Sequence, residues 1–222
     1  MPARHPWVMM QTPGYIYPDY TRDERIADAL VHVLGIALGT AGTATLLSRL
    51  SLTPEARLAL TVYGAAITLS FVASALYHFP PVPAARPLFR RLDHAAIFLK
   101  IAGTVTPLAV LAGTTLAHAT LWAAWTAALA GALVKLFLWR PGRDAGLVFY
   151  LALAWPAALT LWPLAQRAPV ATPALILLGA ALYLLGLVVF LRERLRFAQA
   201  IWHGLVLAAT AAVFAGIANA LV

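Results

Sequence analysis

The chain has no cysteine, so it can form neither a disulfide nor a thiolate metal site. Charge is scarce as well. Asp, Glu, Lys and Arg together make up 11% of the 222 residues, against about a quarter in a usual soluble domain. Residues 101–134 contain none of the four. The sequence also lacks a phosphate-binding glycine loop, a nucleophile elbow and an internal repeat. The apolar-polar alternation that marks a β-barrel strand is missing, which excludes that route across a membrane. Residues 1–25 carry charges and prolines without a long apolar core, and read as a cytoplasmic tail rather than a signal peptide.

What the chain has is apolar length. Hydrophobic residues make up 62% and the mean hydropathy is +0.82. With lipid as solvent the backbone must satisfy itself, so such runs become helices. A crossing needs about 20 residues, and the sequence predicts an all-α bundle of seven spans over 26–48, 58–79, 92–113, 117–138, 145–166, 170–191 and 197–220. The uncharged stretch 101–134 is too long for one crossing. It divides at Gly113-Thr114-Thr115, where helix formers are poor.

The basic residues fall on alternate sides. Arg4, Arg22, Arg25, Arg86, Arg90, Arg91, Lys135, Arg140, Arg143, Arg192, Arg194 and Arg196 occupy the tail and the even gaps. Only Arg49, Arg57 and Arg167 occupy the odd gaps, and Lys100 lies inside a span. This bias predicts a multi-pass protein of the cell inner (plasma) membrane, with the N-terminus in the cytoplasm and the C-terminus outside. The net charge of +8 is thereby assigned to topology and not to nucleic acid; the expected partner is membrane lipid.

Ionisable groups within spans are costly and mark function by default. Asp28 and His32 begin the first span, Ser74 and His78 end the second, Asp93 begins the third, and Gln199 and His203 begin the seventh. With the predicted orientation all of them fall in the inner leaflet. Asp28/His32, Ser74/His78 and Gln199/His203 are each four residues apart, so each pair stacks on one helix face. Imidazoles from two helices with a carboxylate can bind Zn²⁺ and leave a position open for water. The same residues can instead bond helices together; this is the expected role of His32, while His78 and His203 suit either.

The segments Glu24-x3-Asp28-x3-His32, Ser74-x3-His78, LDHAAIFLKIAGTVTP (92–107) and IWHGLVLA (201–208) resemble the hemolysin III branch of the progestin and adipoQ receptor (PAQR) family. The resemblance implies that the second-span His and an H-x3-H pair on the seventh span hold zinc, with the third-span Asp and second-span Ser nearby. Carried onto this chain, these are His78, Gln199 and His203, with Asp93 and Ser74 beside them. Three residues depart from the family pattern. Gln199 replaces an imidazole with a neutral amide, Asp28 adds a carboxylate where Asn is usual, and Lys100 stands at an apolar position. Asp28 or Asp93 can take the place of the lost imidazole as ligands, or the layer is a metal-free ion-pair network.

Two classes of function follow. In the first, a zinc-dependent intramembrane hydrolase cleaves a lipid amide or ester; Asp93 serves as general base and Ser74 orients water or substrate. Relatives of the family resemble ceramidases, which points to a lipid amide. In the second, the protein is a non-enzymatic sensor, transporter or membrane-homeostasis protein, or a pore-forming hemolysin.

Overall fold

The computed structural model describes residues 17–138, 146–154, 156–192 and 195–222. Among them the regular structure is entirely helical. In chain order the helices are α1 (Arg22–Arg49), α2 (Pro54–His78), α3 (Arg86–Ala112), α4 (Thr115–Leu138), α5 (Gly146–Ala154), α6 (Pro156–Ala165), α7 (Ala171–Phe190) and α8 (Ala198–Leu221). Among the described residues, six segments are long and apolar enough to cross a membrane. The predicted fifth span, 145–166, is covered by the shorter helices α5 and α6. Its expected ends reach residue 145, which lies outside the described residues, as does Trp155 between the two helices.

Local chemistry sets the helix ends. α1 starts at Arg22, four residues before its predicted start, because Thr21 and Glu24 form a reciprocal capping box. Thr53 caps α2, with Pro54 in the first turn. α3 also starts earlier than predicted, directly after a short 3₁₀ turn at Pro83–Ala85. The turn expected at Gly113-Thr114-Thr115 is present. Gly113 takes the left-handed conformation (φ 59°) that ends α3, and the Thr114 hydroxyl accepts the Ala117 N–H to start α4. Within α1, Leu38–Gly42 forms a π turn.

α3 is the central helix. Two-thirds of its apolar window is buried (67%), against 22% for α1 and 17% for α7. It packs along α2 and α4 and touches α6, while α7 pairs with α8 and α8 with α1. Its Ala95, Ala102 and Ala109, seven apart, lie on one face; Ala95 and Ala102 share a cluster with Ala124, Ala128 and Ala132 of α4, where small side chains let backbones approach closely. A second cluster joins Leu60, Ile67 and Phe71 of α2 to Leu108, Val213 and Ile217. Large apolar side chains such as Leu30, Val33, Trp122, Phe137, Leu184 and Val188 face outward, as expected where hydrocarbon is the solvent.

Candidate metal centre

The polar residues collect at one end of the bundle. Asp28 and His32 project inward from the first turns of α1, Ser74 and His78 from the last turn of α2, and Gln199 and His203 from the first turns of α8. The rings of His32 and His203 lie 4.5 Å apart, those of His78 and His203 4.8 Å, and those of His32 and His78 5.8 Å. Asp28, His32 and His203 are 4%, 2% and 7% exposed. One ligand atom from each lies within 4.8 Å of the others, so the three can hold a metal ion. Asp93 of α3 lies beside the Ser74 hydroxyl and within electrostatic reach of His203 and Asp28.

The hydrogen-bond partners favour one tautomer for each neutral ring. Nδ1 of His32 is 2.7 Å from the Asp28 carbonyl, which can only accept, so that nitrogen carries the proton. Its Nε2 keeps the lone pair and accepts from the Ser74 hydroxyl at 3.1 Å. Nδ1 of His203 donates to the Asp28 carboxylate at 2.6 Å, leaving its Nε2 with the lone pair. His78 follows the same pattern. The Gln199 amide nitrogen donates to its Nε2 at 3.2 Å, so its Nδ1–H donates to the Tyr17 hydroxyl oxygen at 2.9 Å. In their neutral form, these contacts match the Nδ1–H tautomer with an Nε2 lone pair for all three imidazoles. Metal-ligating histidines are characteristically oriented this way, with the second ring nitrogen bonded to a carbonyl or carboxylate.

This donor set fits zinc by its chemistry: neutral imidazoles, one carboxylate, and no thiolate. It differs from the set carried over from the family pattern. His32, expected to bond between helices, does bond to Ser74, yet it also joins His203 and Asp28 as a potential ligand. The group within ligand reach draws its carboxylate from α1.

Lys100 stands apart from this layer. It is buried, and its ammonium lies 4.7 Å from the Phe71 ring centroid and 5.4 Å from that of Tyr183. Among the described residues it forms no ion pair with a carboxylate. Its ammonium rests instead against two aromatic faces, which attract a cation through their quadrupoles.

Two residues escaped the sequence reading. Tyr17 and Tyr20 come from the segment before α1, and both reach the layer. Tyr17 bonds to His78, packs edge-on against Tyr77 and carries the Arg86 guanidinium over its ring. Burial, reinforced by Tyr20, holds the Tyr17 phenol well above its ordinary range, so its oxygen remains a neutral partner for His78. Tyr20 donates to the Gln199 side-chain oxygen at 3.4 Å. The sequence signal was the aromatic-proline run Tyr15 to Tyr20, placed just before the first polar turn. A narrow cleft lined by Tyr17, Tyr20, Glu24, Asp28, Phe197 and Gln199 reaches the layer from this end.

Comparisons with known proteins converge on one group. The profile described as "Haemolysin-III related" matches residues 21–214. A protein of Bacillus cereus named "Hemolysin-3" is 36% identical over 195 residues, covering 86% of this chain and 89% of that protein. A "Hemolysin-3 homolog" of Bacillus subtilis (strain 168) is 30% identical over 199 residues, covering 88% and 93%.

Proposed function

This chain belongs to the haemolysin III-related family of multi-pass plasma-membrane proteins, and from that premise we propose that it is a seven-span zinc protein acting on a lipid amide or ester. The site end of the bundle lies toward the cytoplasm and the C-terminus lies outside. The uneven basic residues support this orientation: Arg22, Arg25, Arg86, Arg90 and Arg91 flank the same helix ends that carry the polar layer.

One observation carries the zinc reading. Three imidazoles on three different helix segments converge with their Nδ1 or Nε2 atoms on carbonyl, carboxylate, hydroxyl and amide partners, and a buried carboxylate stands among them. His203, His32 and Asp28 would hold the ion, and the His78 ring lies next to that of His203. When bound, zinc polarises a carbonyl and lowers the pKa of a coordinated water. The protein's own groups do the rest. Asp93 would take the proton of the attacking water and return it to the leaving amine nitrogen or alkoxide oxygen as the C–N or C–O bond breaks. Ser74, set between Asp93 and His32, would orient the attacking or accepting oxygen. The outward-facing apolar side chains of the surrounding helices support lipid as the substrate class.

A non-enzymatic sensor is the second reading, favoured by one specific feature. The Gln199 amide bonds to both His78 and His203, so the layer is internally satisfied without a cation. Metal content and turnover separate the two readings. Full-length protein purified without chelator should carry about one zinc per chain, and His203→Ala should lose it. Turnover of a fluorogenic lipid amide that disappears in His203→Ala and Asp93→Asn supports the hydrolase. Zinc without turnover supports the sensor. Absence of zinc after equilibration rejects the metal centre.

A further inference from the structure

The Gln199 side chain bonds to three separate parts of the chain. Its amide nitrogen lies 3.2 Å from His78 Nε2 on α2 and 3.1 Å from His203 Nε2 on α8. Its oxygen accepts the Tyr20 hydroxyl from the segment before α1. A primary amide has two N–H donors and a carbonyl acceptor, so both faces are committed. With the amide nitrogen toward the two histidines, the amide oxygen is turned toward the Tyr20 hydroxyl.

Among the described residues, no other donor bonds to these two Nε2 atoms. Nδ1 of His203 is engaged with Asp28, and Nδ1 of His78 with Tyr17. A cation approaching His203 through Nε2 needs the lone pair that the amide now holds. Amide and cation therefore compete for the same atom, and the amide cannot withdraw without disturbing its bond to Tyr20.

We infer that Gln199 couples occupancy of the metal centre to the segment Tyr17–Thr21, making that segment a reporter of bound metal. This rests on the zinc reading above and adds its regulation. In the empty state the amide caps both imidazoles and anchors Tyr20. In the occupied state the amide swings off His203 and Tyr20 is released. Thr21 caps α1 through Glu24, so the release acts on the segment directly ahead of the helix that supplies Asp28 and His32.

The test uses zinc alone, on the full chain in nanodiscs. The absence of cysteine allows one label, so Asp19→Cys, at an exposed position, carries an environment-sensitive maleimide dye. Zinc affinity is measured by competition with a chromophoric chelator. Gln199→Ala removes two donors that zinc must displace and should bind roughly ten- to hundred-fold more tightly. Zinc should shift the dye signal in the wild-type background. The shift should vanish in Tyr20→Phe, which keeps the amide cap and removes only the anchor. Equal affinity in wild type and Gln199→Ala, or a silent dye at saturating zinc, overturns the coupling while leaving the metal centre standing. Zinc binding in neither protein overturns both.

Discussion

The Glu24 carboxylate accepts the main-chain N–H of Phe197 at 2.9 Å, joining the first turn of α1 to the residue before α8. Phe197 has a left-handed backbone (φ 60°), which is costly for a residue with a Cβ and aims its N–H at the carboxylate. The same carboxylate accepts from Thr21, so one side chain both caps α1 and sets its register against α8. Asp28 and His203 meet one to two turns further along the same two helices.

Glu24→Gln should therefore weaken the metal centre although it touches no ligand. Its amide can still accept from one partner but cannot serve Thr21 and Phe197 with the strength of a carboxylate. We expect a lower thermal midpoint and several-fold weaker zinc binding. Replacing Phe197 with Gly should raise the midpoint, since glycine adopts positive φ without strain. Thermal unfolding of the detergent-solubilised protein measures both, and an unchanged midpoint in Glu24→Gln contradicts the register argument.

At the centre itself, Asp28→Ala should cost about 1–3 kcal/mol, because it strands the buried Nδ1–H of His203. Asp28→Asn keeps an accepting oxygen and should cost much less. Both should lose zinc affinity by about tenfold or more, as expected when the carboxylate partner of a metal-site histidine is removed. Denaturant unfolding and chelator competition separate the two effects. Equal stability losses for the two variants would mean that charge, not the hydrogen bond, holds this pair.

Lys100→Leu should be neutral or stabilising within about 1–2 kcal/mol. No carboxylate is stranded by the change, and only ring contacts are lost. Gly35→Ala should act in the opposite direction. A Cβ there meets the Phe71 ring, and displacing it disturbs both the α1–α2 contact and the face on which Lys100 rests. A loss of about 1–3 kcal/mol is expected for such overpacking. A large loss in Lys100→Leu would reveal a partner outside the described residues.

Reporter fusions test the span count. Fusions after Arg143 and after Val222 should report opposite compartments, cytoplasmic for the first and external for the second. Matching cytoplasmic signals would remove one crossing and reverse the placement of the C-terminus.

Much of this arrangement was legible in the sequence. Apolar run length located six spanning helices, and the i, i+4 pairs marked the faces that meet. The ends were less legible, because Thr21 and Glu24 extend α1 into a segment that charge alone assigns to the tail. The partner of Lys100 was unreadable from spacing. Asp93 shares its helix, but the space around the ammonium is filled by Phe71 and Tyr183 from two other helices. Likewise, nothing local to Gln199 says that its amide will bridge two histidines 121 and 4 residues away. Helical periodicity gives the face, and only the packed bundle gives the neighbour.

The π turn at Leu38–Gly42 gives α1 a spare residue midway along its length. A π turn holds one residue more than the α-helical ladder on either side requires. A single deletion there can revert the turn to α geometry while both halves keep their present faces, His32 toward α8 and Thr43 toward Gly64. Elsewhere in the helix the same deletion rotates everything beyond it by about 100°. For α1, the tolerance to a change in length is thus concentrated within five residues, one turn and a half beyond the metal centre.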